Sequence, residues 1–528
     1  MNSFIILLII SNIAAFYVLL THHIHMYQLN FYSPVEEKNR LRENRWPNFG
    51  RVFGFSLSII FIMTNSFWLP YQITFAVAIL LNALSAYLGW DKTAKIPLKY
   101  TKRVIRLFIT TMLLYITLII FSLLLFTDKT IINSIPIVPI IVQILPFLTV
   151  YIMMLADYIN KPVEKHINNG FINDAKKILK EKKNLTVIGV TGSYGKTSVK
   201  NTLKTLLSGD YNVLITPGNF NTALGVVITI RQHLTPIHEI FICEMGAKNV
   251  GDIKEICDIV QPKYGIITSI GSAHLETFGS IQNTIKTKFE LEDSVSQNGG
   301  TIFLNYDNEH IRDKKVTSKK VTYSVNEKNT NFKAENIKVD ENGSSFKLNL
   351  DGEDVEFETS LLGKHNILNI AGCVAIAKTL GISNETLVSR VKLLRPVEHR
   401  QQVLKRPFGL IIDDAYNSNP TGAKSALDTL ALFDMTKIVV TPGMIELGDE
   451  FYQRNKEFGM QIADIADIVV LVGQKQTLPI QDGLKEKNYP KEKINIFSNM
   501  ADALNFAINL NVNNKKAILI ENDLPDNY

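Results

Sequence analysis

Cysteine is scarce: Cys243, Cys257 and Cys373 are the 3 thiols in 528 residues. Three cysteines cannot build a disulfide framework, and their spacing matches no zinc pattern. That usage is expected of a reducing compartment. An excess of charge is missing too. Lys and Arg number 56 against 50 Asp and Glu, a net charge of +6, which makes no case for nucleic acid. Charged residues are 20% of the chain, and a mean hydropathy of +0.08 is high for a soluble enzyme of this length. A length of 528 residues allows three or four domains.

What is present in quantity is apolar sequence, and it is concentrated before residue 160. Ser3–Leu20, Val52–Leu69, Tyr71–Leu88, Val104–Phe126 and Ile135–Ala156 each approach the roughly 20 apolar residues of a spanning helix. The first run lacks the basic flank and small-residue cleavage site of a signal peptide, so it reads as retained. Lys38, Arg40, Arg42, Arg45 and Arg51 follow the first run, and Lys92, Lys95, Lys99, Lys102 and Arg103 follow the third. The links around Asn65–Pro70 and Asp128–Thr130 are nearly uncharged. The positive-inside rule therefore puts both basic loops in the cytoplasm. About five spans predict a multi-pass cell-membrane protein with everything after Asp157 cytoplasmic; the middle pair reads alternatively as one re-entrant hairpin around Pro70. His25, Tyr27, Tyr32 and Trp46 suit a belt at headgroup level. Their segment reads as a solvated loop with aromatic anchors, or as a contact for membrane lipid or a substrate.

The stretch TVIGVTGSYGKTS, Thr186–Ser198, organises the rest. Its β-branched start predicts a buried parallel strand, Gly192 and Gly195 break it, and Lys196-Thr197-Ser198 open an apolar-periodic helix. Strand, glycine turn and helix N-terminus make a phosphate cradle in which Lys196 meets the β/γ-phosphates and Thr197 offers a hydroxyl to Mg²⁺. A strict P-loop has Gly where this chain has Val190; Gly189 lies one step earlier, so the match is to a variant form. The plainer alternative is a tight βα turn with a surface lysine.

That variant string, GVTGSYGKTS, resembles the nucleotide loop of the Mur ligases, ATP-dependent enzymes that add amino acids or dipeptides to peptidoglycan precursors. The resemblance covers roughly residues 185–525 and is strongest to members that add D-Ala-D-Ala. In TPGNFNTALGV the resemblance implies substrate contacts from Asn219, Asn221 and Thr222. Glu244 ends the strand EIFICEMGA, where doubly wound sheets place ligands, and suits Mg²⁺. His274 in GSAHLETFGS would carry no weight alone; the resemblance makes it a ligand of a second Mg²⁺, although imidazole is atypical for a hard cation. Lys288 in NTIKTKFELED matches a lysine carried as a carbamate in the family. Lys286 competes, and the Lys-x-Glu spacing to Glu290 favours Lys288. TIFLNYDNEH closes a further strand on Asn305 and Asp307. Residues 320–360 alternate in short strands with Asn342-Gly343 and Asp351-Gly352 turns, hence hairpins. Asn366 and Asn369, one turn apart, resemble the family's adenine-contacting pair.

PVEHRQQ opens a second α/β unit, and the resemblance gives its Arg400 a reach back to the ATP phosphates. FGLIIDDAYNSNP is a buried strand, and its resemblance to members that add D-Ala-D-Ala implies that Asp414 faces the nucleotide and Asn417 the substrate. KIVVTPG, IVVLVG, INIF and AILIEN alternate with helices, predicting an open parallel sheet. Three departures from the family stand out. Asn455 and its neighbours leave the pattern after Glu446-Leu447-Gly448, and ENDLPDNY stands where a Lys-Gly-Ser-type stretch is usual. A membrane region also replaces a soluble uridine-binding domain.

The expected fold is therefore an α-helical membrane region (1–160), a P-loop-type central ATPase domain (161–395) and a Rossmann-like α/β domain (396–528). Its expected activity is an ATP- and Mg²⁺-dependent amide ligase of cell-wall precursor synthesis, adding D-Ala-D-Ala or a similar amine to a peptide carboxylate through an acyl phosphate. The acceptor would be a small-molecule or lipid-linked peptide-sugar, with Lys196, Lys288, His274 and Arg400 at the chemistry. The rivals are ligation onto a lipid-linked or non-murein acceptor, and a transport or signalling ATPase. Few intramembrane charges speak against the last.

Overall fold

The computed structural model describes all residues except 1, 31, 44, 66–68, 90–96, 126–136, 272–274, 417, 446 and 524–528. His274, Asn417 and Glu446 thus lie outside the described residues. The chain forms two compact units, Met1–Asn169 and Gly170–Asp523.

The first unit is helical: α1 (Asn2–Leu29), α2 (Pro34–Glu43), α3 (Arg45–Asn65), α4 (Tyr71–Gly89), α5 (Lys102–Leu125), α6 (Ile137–Ile144) and the start of α7 (Thr149–Lys180). Among the described residues four helical segments are long and apolar enough to cross a membrane: Ser3–Leu29, Gln72–Gly89, Lys102–Leu124 and Val138–Lys180. Among the described residues the expected second run contributes the apolar stretch Arg51–Thr64 of α3. The expected boundary at residue 160 falls inside α7, which runs through Pro162 and joins the charged connector to the preceding apolar stretch as one helix.

The segment after the first run is not a solvated loop. His25, Tyr27, Asn30, Glu37 and Arg40 are buried. Pairing makes this burial tolerable: Arg40 donates from Nε and Nη2 to the two Glu37 oxygens at 3.0 and 2.6 Å, and Asn30 adds a bond at 3.2 Å. Nearby, Tyr27 donates to Asp157 at 3.0 Å and Arg106 holds Glu164 through two bonds, 2.6 and 2.7 Å. The bundle interior also carries uncharged polar links. Asn12 donates to Val142 O and Gln143 Oε1 at 3.2 and 3.0 Å, and Tyr115 donates to Asn12.

The second unit holds three sheets. Strands β1 (Thr186–Thr191), β2 (Val213–Ile215), β3 (Ile240–Glu244), β4 (Tyr264–Ile267), β5 (Thr301–Asn305), β6 (Lys319–Ser324) and β7 (Phe332–Lys333) make one sheet, ordered 2-3-1-4-5-6-7. Every pairing in it is parallel. Its helices are α8 (Lys196–Leu207), α9 (Ala223–His233), α10 (Asp252–Val260), α11 (Ile281–Gln297), α12 (Lys364–Thr379) and α13 (Asn384–Lys392). The β-branched β1 is buried on both faces, between one core built on Ile188, Val190 and α12 and another built on Val187, Phe241 and Leu291. The chain leaves β1 between β3 and β4, where strand order reverses and the carboxyl ends leave a crevice.

Strands β8 (Glu335–Asp340), β9 (Gly343–Leu350) and β10 (Glu353–Thr359) form the expected hairpins. Asp351 and Gly352 turn with φ of 54° and 91°, the left-handed pair a tight hairpin needs. The Asn342-Gly343 pair behaves differently, because Gly343 is already paired with Asp340 in the ladder.

The third sheet contains β11 (Gln402–Arg406), β12 (Gly409–Asp414), β13 (Thr436–Thr441), β14 (Ile468–Val472), β15 (Ile494–Phe497) and β16 (Lys516–Glu521), in the order 11-12-16-13-14-15. Helices α14 (Pro420–Ala431), α15 (Phe451–Ala463), α16 (Leu478–Glu486) and α17 (Met500–Asn509) alternate with them. It is an open parallel sheet with one antiparallel edge strand, β11. Its order differs from the 3-2-1-4-5-6 of a dinucleotide-binding sheet, because the last strand inserts beside the first parallel one.

Candidate functional site

The loop after β1 is held from one side by the end of β4. Ser193 N donates to Ser269 O and Tyr194 N to Ser269 Oγ, both at 2.8 Å, while Gly271 N donates to Ser193 Oγ at 3.0 Å. Gly192 and Gly195 take φ of 153° and 81°, which side chains rarely adopt. A Cβ on Gly192 would meet Thr268 Oγ1 at 2.0 Å, and one on Gly195 would sit 3.1 Å from Asn369 Oδ1. Asn369 therefore packs on the loop itself. Its helical neighbour Asn366 donates to Leu362 O at 2.8 Å and lines a cleft of about 830 Å³ with Ser198, Asn201, Arg400 and Gln401.

Below the loop, one carboxylate gathers the polar groups. Glu244 is 2% exposed. Its Oε1 accepts from Thr197 Oγ1 at 3.2 Å and from Asn221 Nδ2 at 3.1 Å, and its Oε2 faces Lys200 Nζ at 2.9 Å. Burial opposes its charge, but Lys200 and Lys196 outweigh that and hold its pKa below the usual carboxylate value. Of the other two predicted contacts in this loop, Asn219 is exposed and Thr222 is the N-cap of α9, accepting from Gly225 N at 3.3 Å.

Lys196 folds onto its own loop, donating to Gly192 O at 2.7 Å and Ser193 O at 3.1 Å. Burial lowers its pKa to about 8, with Glu244 raising it and Arg400 lowering it further. Lys288 is 3% exposed, on α11. Burial, then the neighbouring Lys196 charge, lowers its pKa to about 7. Lys286 points to solvent. Glu290 accepts from Gly251 N at 2.7 Å and Lys254 N at 2.9 Å, so its carboxylate caps the N-terminus of α10.

Arg400 follows β10 and the helical pair α12–α13. Its guanidinium carbon lies 4.0 Å from the centre of the Tyr416 ring, and its neighbours His399 and Gln401 have φ of 58° and 48°. Gln401 N donates to Asp414 Oδ1 at 3.2 Å. Burial raises the Asp414 pKa to about 6, with Arg400 opposing. Asp414 pairs in register with Glu521, a buried acid whose Oε1 accepts from Ser418 at 2.6 Å. Asn455 is buried and clamps the 444–451 turn through bonds to Met444 N, Met444 O and Phe451 O.

Three participants escaped the sequence reading: Lys200, Tyr416 and Glu521. Lys200 had a signal, since it stands one helical turn after Lys196 on the same face. The other two depend on which strands become neighbours.

This fold and site define a class, an ATP-dependent ligase built from two α/β domains. Residues 190–377 match the Mur ligase middle domain and 399–521 the Mur ligase glutamate ligase domain. The chain is 31% identical to the UDP-N-acetylmuramoyl-tripeptide--D-alanyl-D-alanine ligase of Haemophilus influenzae over 332 residues, 60% of this chain and 70% of the relative. Against the ligase of the same name from Escherichia coli it is 32% identical over 50% of this chain and 59% of the relative. The crystal structure of MurF ligase from Thermotoga maritima in complex with ADP superposes with a TM-score of 0.61 at 25% identity, covering 67% of this chain and 80% of that one. The chain belongs to the Mur ligase family.

Proposed function

We propose that the chain is a membrane-anchored, ATP-dependent amide ligase of cell-wall precursor synthesis. It would join D-Ala-D-Ala, or a similar amine, to a peptide carboxylate. The observation that carries this reading is the convergence on Glu244. Groups from the glycine-loop helix (Thr197, Lys200) and from the 216–222 loop (Asn221) meet on one carboxylate at the switch point of the sheet.

The residues fit the implied cofactors. Thr197 and Glu244 are oxygen donors of the kind Mg²⁺ prefers, and when bound the ion neutralises phosphate charge. ATP would lie over Gly192–Ser198, with its base toward Asn366 and Asn369 and with Arg400 and Asp414 closing from the second domain. Lys196 has a pKa depressed by burial, and Lys288 one depressed by burial and by the Lys196 charge, an arrangement that an inserted polyphosphate would stabilise. The acceptor carboxylate would displace ADP from the γ-phosphate to give an acyl phosphate, and the incoming amine would then expel phosphate. Positioning and charge neutralisation by Lys196, Arg400 and the Thr197–Glu244 pair supply the catalysis. Asn219, Asn221, Thr222 and Asn417 would line the acceptor side, with His274 a further metal ligand. ADP release that requires both a UDP-linked muramoyl tripeptide and D-Ala-D-Ala checks the reading. ATP turnover indifferent to both would sink it.

A second reading rests on a separate observation. Both family matches begin after residue 189, and the region before them supplies four helices apolar enough to span a membrane. A lipid-linked acceptor would then reach the site by confinement at the bilayer surface, at millimolar effective concentration for a short tether. Replacing the UDP-linked tripeptide with its lipid-linked form in the same assay separates the two.

A further inference from the structure

We propose that Lys200 is a positioning residue that couples the nucleotide side of the site to the loop after β2. The inference rests on the reading above for the role of Glu244, and on geometry for the coupling itself. Lys200 is 1% exposed. Its ammonium donates to Thr216 O at 2.9 Å and Gly218 O at 2.8 Å and forms an ion pair with Glu244 Oε2 at 2.9 Å. Two of these partners are backbone carbonyls of the segment that carries Asn219 and Asn221. The third is the carboxylate that receives Thr197.

Two consequences follow from this arrangement. Lys200 pairs with Oε2 while Thr197 and Asn221 donate to Oε1, so the Glu244 carboxylate is oriented through both of its oxygens. The same ammonium draws the carbonyls of Thr216 and Gly218 inward, so Lys200 ties the loop to the carboxylate at two points. The segment closes on itself as well: Thr216 Oγ1 accepts from Glu244 N at 3.1 Å, and Gly246 N donates to Asn221 O at 2.7 Å. A neutral side chain of the same length leaves two carbonyls without this donor and a buried carboxylate without its ion-pair partner. Arginine keeps the charge but spreads its donors in a plane, which does not reproduce a three-way grip.

The test uses the full-length protein in lipid discs, with two readouts besides turnover. One is the affinity of Mg²⁺ for the ADP complex, measured by calorimetry. The other is the rate at which a cysteine at Asn219 (Asn219→Cys) is labelled by a thiol reagent without nucleotide; the native cysteines are buried. Lys200→Met should weaken Mg²⁺ by about 10- to 100-fold, the usual cost of removing a group that orients a ligand. It should also speed labelling at position 219. Lys200→Arg, which keeps the charge and the fold if Lys200→Met does not, should leave Mg²⁺ affinity near wild type yet speed labelling. Wild-type labelling in both variants would overturn the coupling. If the unsubstituted protein binds no Mg²⁺–ADP, the nucleotide reading falls while the labelling arm still decides the coupling.

Discussion

Individual side chains carry the most direct predictions. Lys196 folds onto the glycine loop, and its proposed interaction is with the transferring phosphate. Lys196→Ala should cost about 100-fold or more in ligation, as removal of one transition-state donor commonly does, and leave thermal unfolding unchanged. Ligation within tenfold of wild type would remove Lys196 from the chemistry. Lys288 makes a different prediction. Its folded-state pKa of about 7 lies below the ordinary 10.5, so between those values the unfolded chain holds more protons and stability rises with pH. The penalty of burying its charge is complete below about pH 7. A carbamate forms only from the neutral amine, so ligation should fall as pH drops through 7 and recover partly on adding bicarbonate. Lys288→Ala should be inactive and partly restored by short carboxylic acids; a fully active Lys288→Ala would make it a packing residue.

At the scale of elements, Thr222 separates capping from substrate contact. Its hydroxyl caps α9, so Thr222→Ala should cost about 1 kcal/mol of stability, seen as a lower urea midpoint. Thr222→Asp should keep the cap. If it also raises the KM for the acceptor, the residue serves both ends, and an unchanged KM leaves only the cap. Glu290, two positions after Lys288, likewise caps a helix, accepting from the N-terminus of α10. Capping and ligand contact ask for the same short polar side chains at the same loop–helix junctions, and sequence alone does not separate them.

For the whole molecule, the proposed topology sets both basic loops on the side of the catalytic unit. Cysteines introduced at Arg42 and Lys95 should resist an impermeant thiol reagent in intact cells, while one at Asp128 is labelled. The opposite pattern would place ATP on the wrong side. A soluble piece starting at Lys161 keeps the whole compact unit Gly170–Asp523. If the acceptor is lipid-linked, that piece should lose most activity on it relative to the full chain. Equal activity of the two on a UDP-linked acceptor would make the helices an anchor alone.

The sequence by itself determined the parts that depend on short-range pattern. The β-branched run at Thr186–Val190, the glycines that follow, the helix opened by Lys196 and the Asp351-Gly352 turn are each dictated by conformational preference within a few residues. The apolar runs before residue 160 are equally legible, because a bilayer's thickness is read from length and composition. Only the tertiary structure decided that Glu290 caps a helix, that Arg40 and Glu37 are buried as a pair and that Asp414 lies beside Glu521. It alone brought Lys200 onto Glu244 and two backbone carbonyls. Those facts rest on which elements lie next to which, and an ammonium 44 positions from its carboxylate carries no periodic signal. Distance along the chain hides such a pair, and burial makes it matter, since a charge removed from water must find its partner wherever the fold has put it.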